Sequence, residues 1–245
     1  MKTLIQRLLQ KILGFRTYLF IFSLYIIYTL HWNRKEGDFL RFIELLPSEG
    51  ILLDIGANIG VMSYHLSVRR PHSQIIAIEP LPQNSDNIKR VINFFRLTNV
   101  KLLELGLSDK PGQLEMVMPV MGHVKKQGLA HVVHESITDF NDGDRYSVEV
   151  TTLDSLPELQ NENRLTGIKI DVENWEYFVL KGGIQILTKH KPVVYAELWD
   201  NENRTLCFNL MEKLGYDIQV NIGGRLQSFN IEEHKAQNFF FIPRV

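Results

Sequence analysis

The spacing of hydrophobic positions divides this chain into regions of different character. Apolar residues crowd positions 17–32, TYLFIFSLYIIYTLHW, which carry no charge. A charged linker follows at 33–38, and then Phe39, Phe42, Ile43, Leu45 and Leu46 recur at helical spacing until Pro47 stops the pattern. From Gly50 onward, apolar runs of strand length at 51–55, 74–79, 101–107, 167–172 and 192–198 alternate with helical patterns at 61–68, 83–96 and 176–187. Such alternation reads as βαβ units, hence an α/β fold with a mostly parallel sheet and helices on both faces. Gly182-Gly183 predicts an early break in the last of those helices. Residues 204–214 read as a helix closed by Gly215, and 216–222 with 238–242 as a terminal antiparallel pair. Between the third and fourth strands, 113–118 and 146–151 alternate like a hairpin. The insertion they frame, 113–151, hangs near the strand ends, where it could cover a substrate. The expected organisation is a helical extension, 1–48, followed by one domain, 49–245.

Size and composition agree with that organisation. A chain of 245 residues, 44% apolar and 22% charged, suits one globular α/β domain with room for a seven-strand sheet. With 27 Lys and Arg against 28 acids there is no global field to recruit nucleic acid, so nucleic acid is not an expected partner. The lone Cys207 cannot form an internal disulfide, which fits a reducing, cytoplasmic setting. Lys2, Arg7, Lys11 and Arg16 precede the uncharged stretch as they would in a signal-anchor. Its apolar run, 18–30, nevertheless falls short of the roughly 18–20 residues that span a bilayer, and no small-residue cleavage site follows. The expectation is a helix docked on the domain or in peripheral contact with a membrane, not one that crosses it.

The candidate chemistry begins where the first strand runs into a glycine turn, Asp54-Ile55-Gly56-Ala57-Asn58-Ile59-Gly60. A dinucleotide fingerprint needs glycine at the first, third and sixth positions so that pyrophosphate can touch the backbone. Asn58 and Val61 occupy the second and third of those positions, which disfavours a nicotinamide oxidoreductase and suits a cofactor without phosphates. Asp54, Gly56 and Gly60 together look like an adenosylmethionine loop; the bland alternative is an ordinary tight βα turn. The second strand stays apolar until Glu79 at its carboxyl end, where open sheets bind ligands and where an acid can accept the ribose hydroxyls of an adenosyl group. Past the third strand, Ser108 and Asp109 could contact an adenine or simply cap the turn. The fourth strand alternates so that Lys169, Asp171 and Glu173 point one way. Ionisable groups on a central strand cost several kcal/mol unless they pair or line a cleft, so they are candidate catalytic residues.

Other constellations are weaker. His123, His131 and His134 lie on the insertion without zinc spacing. Asp171 with Asp200 and Asn201 only loosely resembles a magnesium site, and no metal is expected. No nucleophile elbow supports hydrolysis.

From about residue 51 to residue 200 the chain resembles the FkbM-type methyltransferases. The matching pieces are LLDIGANIG at 52–60, AIEP at 77–80, LSD at 107–109, TLDSL at 152–156, IKIDVE at 168–173 with VLKGG at 179–183, and AEL at 196–198. The resemblance implies a Rossmann-like class I methyltransferase fold with S-adenosylmethionine as cofactor. It implies methyl transfer to a hydroxyl on a small molecule, sugar, glycan or natural product. On that reading Asp54, Gly56, Asn58, Gly60, Glu79, Ser108 and Asp109 bind the cofactor, while Asp171 or Glu173, assisted by Lys169, handles the acceptor proton. One departure is Asn174-Trp175, where the family has Gly followed by a small residue or His. A large indole there could narrow the acceptor pocket, and the alternative function is a non-catalytic adenosylmethionine-binding protein with that pocket closed.

Overall fold

The structure is a computed structural model that describes residues 2–33, 36–135, 137, 140–160 and 164–244. Three helices, α1 (Lys2–Leu13), α2 (Phe15–Thr29) and α3 (Gly37–Leu45), precede β1 (Glu49–Ile55), α4 (Val61–Arg69), β2 (His72–Ile78), α5 (Pro82–Phe95) and β3 (Val100–Leu103). The insertion then contributes β4 (Gly106–Leu107), β5 (Gly112–Met121), β6 (Val124–Lys125), β7 (His131–Val132) and β8 (Gly143–Thr151). After it come β9 (Leu165–Ile170), α6 (Glu176–Lys181), α7 (Ile184–His190), β10 (Val193–Glu197) and α8 (Glu202–Lys213). The last elements are β11 (Tyr216–Ile222), β12 (Arg225–Ser228) and β13 (Asn238–Pro243).

The main sheet has the order β12-β11-β13-β10-β9-β1-β2-β3. Strands β10, β9, β1, β2 and β3 are parallel, and β13, β11 and β12 continue antiparallel. The sheet therefore has eight strands among the described residues, not the seven expected. The added strand, β12, follows a two-residue turn at Gly223-Gly224, whose φ values of 59° and 85° match the hairpin turn that wants glycine at both places. The expected third strand, 101–107, is also split. Its last two residues leave the main sheet and pair with β8 in a second, five-stranded sheet of order β4-β8-β5-β6, with β7 on β5. The expected hairpin is thus the centre of a larger unit. Gly182-Gly183 does break the helix after β9, between α6 and α7.

Alternation along β1 sorts the core into two layers. Ile51, Leu53 and Ile55 join Val179 of α6, Leu187 of α7 and Met211 of α8 on one face. Leu52 joins Leu19 of α2, Phe42 of α3, Leu66 of α4 and Val91 of α5 on the other. Each such aliphatic side chain taken out of water contributes about 1.5–3 kcal/mol before entropy is counted, so both layers are needed to hold the sheet. The uncharged N-terminal stretch buries one side this way: Leu19, Ile27 and Leu30 are buried, while Ile21, Tyr25, Tyr28 and Trp32 stay exposed. Among the described residues no helix is long and apolar enough to cross a membrane.

Candidate active site

Two cavities open at the carboxyl ends of the parallel strands, one on each face of the sheet. The crevice lies on the face covered by the small sheet. It is lined by Ile55, Gly56 and Asn58 of the glycine turn, by Ile78, Glu79 and Leu81 after β2, by Leu107, Val132 and Val150 of the insertion, and by Asp171, Glu173 and Trp175 after β9. The chamber, about 1080 Å³, lies on the other face and is lined by Asp38, Lys169, Asp171, Tyr195, Glu197, Asp200, Arg204, Asn221 and Asn238, among others. Asp171 lines both.

The glycine turn owes its residues to packing. Gly56 has φ 71°, and a Cβ there would stand 1.9 Å from the carbonyl oxygen of Asp171, because the ends of β1 and β9 are tied by the Asp171 amide donating to Ile55 at 3.1 Å. Gly60, at φ 83°, lies against Ile88 of α5. Asn58 also takes a left-handed conformation, φ 50°, which aims its amide at the Glu79 Oε2 at 2.9 Å. Glu79 is buried and accepts two more bonds at Oε1, from the Leu81 amide at 3.0 Å and from Asn84 Nδ2 at 3.2 Å. Burial raises its pKa to about 7, with those donors opposing the shift. Three of the roughly four acceptor sites of the carboxylate are taken, which leaves room for one further donor at Oε2.

Asp54 does not face the crevice. It is fully buried beneath the turn, accepting from Ser63 Oγ at 2.6 Å and pairing with Lys169 Nζ at 3.2 Å. Lys169 Nζ also donates to the Gly56 carbonyl at 2.9 Å and lies 3.7 Å from Asp171. Burial alone would lower the Lys169 pKa, but the charges of Asp54 and Asp171 outweigh it and the net shift is upward. The ammonium therefore bridges the turn and the end of β9.

Register explains this row. Asp54 pairs with Lys169 across β1 and β9, and Lys169 with Tyr195 across β9 and β10, so all three stand on the chamber face. The expected alternation fails one step later, because β9 ends at Ile170 and Glu173 and Asn174 turn left-handed, φ 52° and 74°. Glu176 holds this bend: its Oε1 accepts the amides of Val172 at 3.1 Å and Asn174 at 3.2 Å, and its Oε2 accepts from Asn203 at 2.8 Å. The bend delivers Glu173 to the crevice, not to the face of Lys169 and Asp171. Burial, then the neighbouring carboxylates of Asp171, Glu197 and Glu176, raise its pKa to about 9.

Ser108 and Asp109 do not line the crevice. Asp109 pairs with Lys181 at 2.8 Å, and a Cβ on Gly182 would meet the Ser108 carbonyl at 2.1 Å. The Asp154 carboxylate accepts the amides of Gln185 and Ile186 at 3.1 and 2.9 Å. The LSD, TLDSL and VLKGG segments thus lock one another beside α6 and α7. Trp175 stacks on Phe178, ring centroids 4.0 Å apart, and forms part of the crevice wall instead of the chamber. His131 is held by the Leu129 carbonyl and Asn141, and His134 packs edge-on against Trp175. Among the described residues no group of three or more His, Cys, Asp and Glu is arranged to hold a metal ion.

Tyr195, and Glu197 of the AEL segment, join the site without any role assigned to them by the sequence. Both lie on β10 two residues apart, the same alternation that drew attention to Lys169 and Asp171. Burial, then Asp38, Glu197, Glu36 and Asp171, push the Tyr195 pKa well up, so its hydroxyl keeps its proton. Burial, then Asp171, raises Glu197 to about 7.

A family model for the methyltransferase FkbM domain matches residues 54–221. The chain belongs to the FkbM methyltransferase family. The match takes in the whole lining of the crevice and the strand-end residues of the chamber, Lys169, Asp171, Tyr195 and Glu197, while Asp38 and Asn238 of the chamber wall lie outside it. Among curated proteins the chain is similar to methyltransferase sdnD of Sordaria araneosa, 28% identical over 72% of this chain and 77% of that protein. It is also similar to 2-O-methyltransferase NoeI of Sinorhizobium fredii, 27% identical over 66% and 69%. An FkbM methyltransferase from Methylobacillus flagellatus shares the fold with a TM-score of 0.54 at 17% identity. That alignment covers 81% of this chain, which spans 45% of the other.

Proposed function

We propose that this FkbM-family chain is an S-adenosylmethionine-dependent methyltransferase that holds the cofactor in the crevice and methylates a hydroxyl of a small molecule, sugar or glycan held in the chamber. The observation that carries the reading is the make-up of the crevice: among the described residues its lining includes three carboxyl groups, Glu79, Asp171 and Glu173, and no Lys or Arg. Such a lining offers no cation to a dinucleotide's pyrophosphate, and its acids suit a ligand that bears a cationic sulfonium. The remaining features fit an adenosyl group. Ile78, Leu107, Val132 and Val150 offer an apolar slot, Glu79 Oε2 can take a ribose hydroxyl, and the buried Asn58 Oδ1 has no partner. Oxygen as the acceptor atom is favoured by the relative named as a 2-O-methyltransferase. Trp175 stands outside the chamber lining, which favours a working acceptor site over a closed one.

When bound, adenosylmethionine supplies a methyl group activated by its sulfonium. Asp171, the group common to both cavities, takes the proton of the acceptor hydroxyl. The Lys169 ammonium lies 3.7 Å from its carboxylate. Glu173, with a pKa near 9, carries its own proton at neutral pH and therefore donates a hydrogen bond instead of acting as the base. Tyr195 and Glu197 orient the acceptor from the other side. Orientation is the larger contribution, roughly 7–11 kcal/mol against about a hundred- to ten-thousand-fold in rate for a placed base.

Calorimetry with adenosylmethionine, followed by turnover against a panel of hydroxylated acceptors, tests this. Asp171→Asn should bind the cofactor within a few-fold of the unaltered protein and lose about two orders of magnitude in kcat. Failure to bind adenosylmethionine, or undiminished turnover by Asp171→Asn, would overturn the assignment.

A further inference from the structure

The N-terminal helices present an apolar surface that neither the core nor the active site uses. On α1, Ile5, Leu8, Leu9 and Ile12 follow one another at i, i+3, i+4 and i+7 and are all exposed, Ile12 by 68%. A second stripe runs along α2 and past its end through Ile21, Tyr25, Tyr28 and Trp32, the last exposed by 73%. The two helices pack on each other. Leu13 at the end of α1 packs on the core, while the contact of α1 with the insertion is polar: Gln6 accepts from Lys126 Nζ at 2.7 Å, and Gln10 exchanges bonds with the Lys125 backbone at 3.1 and 3.2 Å. The fold therefore holds α1 by one side and leaves its apolar stripe to the solvent. A free amphipathic helix would hide that stripe first.

Charge says what covers it. The sequence up to residue 35 contains Lys2, Arg7, Lys11, Arg16, Arg34 and Lys35, and its first acid is Glu36. This segment is strongly basic in a chain whose overall charge is −1. Arg7 and Lys11 are exposed on α1. Arg16 is paired with Asp86 of α5, but the segment carries no acid of its own, and an apolar helix stripe flanked by exposed Arg7 and Lys11, beside exposed Tyr and Trp rings, is the composition of a helix lying in a lipid interface. A second copy of this chain would bring a like-charged segment against it.

We propose that α1 and the outer face of α2 form a docking surface for an anionic lipid bilayer, lying in the interface plane without crossing it. The surface is independent of the methyl-transfer reading. Its consequence for the site follows from the polar contacts of α1, since Lys125 and Lys126 immediately precede Gln127 and Gly128, which line the crevice. Docking would hold the crevice close to the bilayer surface.

Flotation of the full chain with phosphatidylcholine vesicles, with and without phosphatidylglycerol, is the test. Binding should require the anionic lipid and weaken with added salt. It should fall roughly fivefold for each charge removed in Arg7→Gln and Lys11→Gln. Leu8→Glu with Ile12→Glu should abolish binding while leaving circular dichroism and adenosylmethionine affinity unchanged, since both positions face solvent. A blue shift in tryptophan emission on adding anionic vesicles should vanish in Trp32→Phe. Equal failure to bind both kinds of vesicle would overturn the proposal. So would light scattering that shows a dimer which Ile12→Glu dissociates, since the stripe would then be a contact between copies.

Discussion

The crevice and the chamber meet at one residue, Asp171, yet they are built in opposite ways. The crevice is made by backbone: a left-handed turn at Gly56, Asn58 and Gly60, amides aimed at Glu79, and a bend at Glu173 and Asn174 clamped by Glu176. The chamber is made by side chains that alternate on neighbouring strands and carry their charges on one face, Lys169 and Asp171 beside Tyr195 and Glu197. A backbone-built site tolerates little change because each turn is fixed by a neighbour it nearly touches. A side-chain-built site can be altered one group at a time. If the ligands divide between the cavities as proposed, that difference would let one site keep a common cofactor while the other adapts to an acceptor.

The comparison is broken most severely at Gly56. Gly56→Val places a Cβ against the Asp171 carbonyl, so adenosylmethionine binding should be lost together with a large drop in Tm, read by calorimetry and thermal melting. A folded Gly56→Val protein with normal affinity would show that the backbone of the crevice is softer than its contacts imply. Next is the ion pair beneath the turn. Lys169→Met leaves Asp54 buried and unpaired, and urea unfolding should find the protein about 3–5 kcal/mol less stable.

The acids around the bend predict a pH dependence of stability. Glu173 has its pKa raised from 4.5 to about 9 by burial and its acidic neighbours. A carboxyl that holds its proton more tightly when folded leaves the unfolded state with fewer bound protons throughout that window. Stability should therefore fall as pH rises from about 4.5 towards 9, and the Glu173→Gln protein should show a flatter profile. Denaturant titrations at several pH values would check it, and an identical slope in the variant would remove Glu173 as the source.

Smaller effects sharpen the contrast. Glu79→Ala should weaken adenosylmethionine binding by about 1–3 kcal/mol through the lost ribose contact and the amides left unpaired. Tyr195→Phe should leave that affinity unchanged and raise KM for the acceptor by about 0.5–1.5 kcal/mol, with kcat little altered. A Tyr195→Phe protein that loses cofactor affinity would mean that the two cavities do not divide their ligands as proposed.

Legibility followed the same divide. The parallel strands, the break at Gly182-Gly183 and the terminal antiparallel pair were readable because periodicity and turn chemistry are written within short contiguous segments. So were the glycine turn and Glu79, since a turn that needs positive φ advertises itself by its residues. Partnership was not readable. Asp54 belongs to an ion pair whose other half, Lys169, stands on a strand distant in the chain, and Asp109 pairs with Lys181 of α6. The end of the expected third strand joins a different sheet, and Gly223-Gly224 adds β12.

By itself, then, the sequence determined the parallel strands with the helices between them, the glycine turn after the first strand, and which ionisable residues stand at strand ends. Each of these depends on a few adjacent residues and their local energetics. Only the tertiary structure decided that Gly56 is required by the Asp171 carbonyl, that Glu173 leaves the face of Lys169, and that Tyr195 and Glu197 line a chamber with Asp171. Those facts depend on the register between strands distant in the chain, and register is set by the packing of both core layers at once.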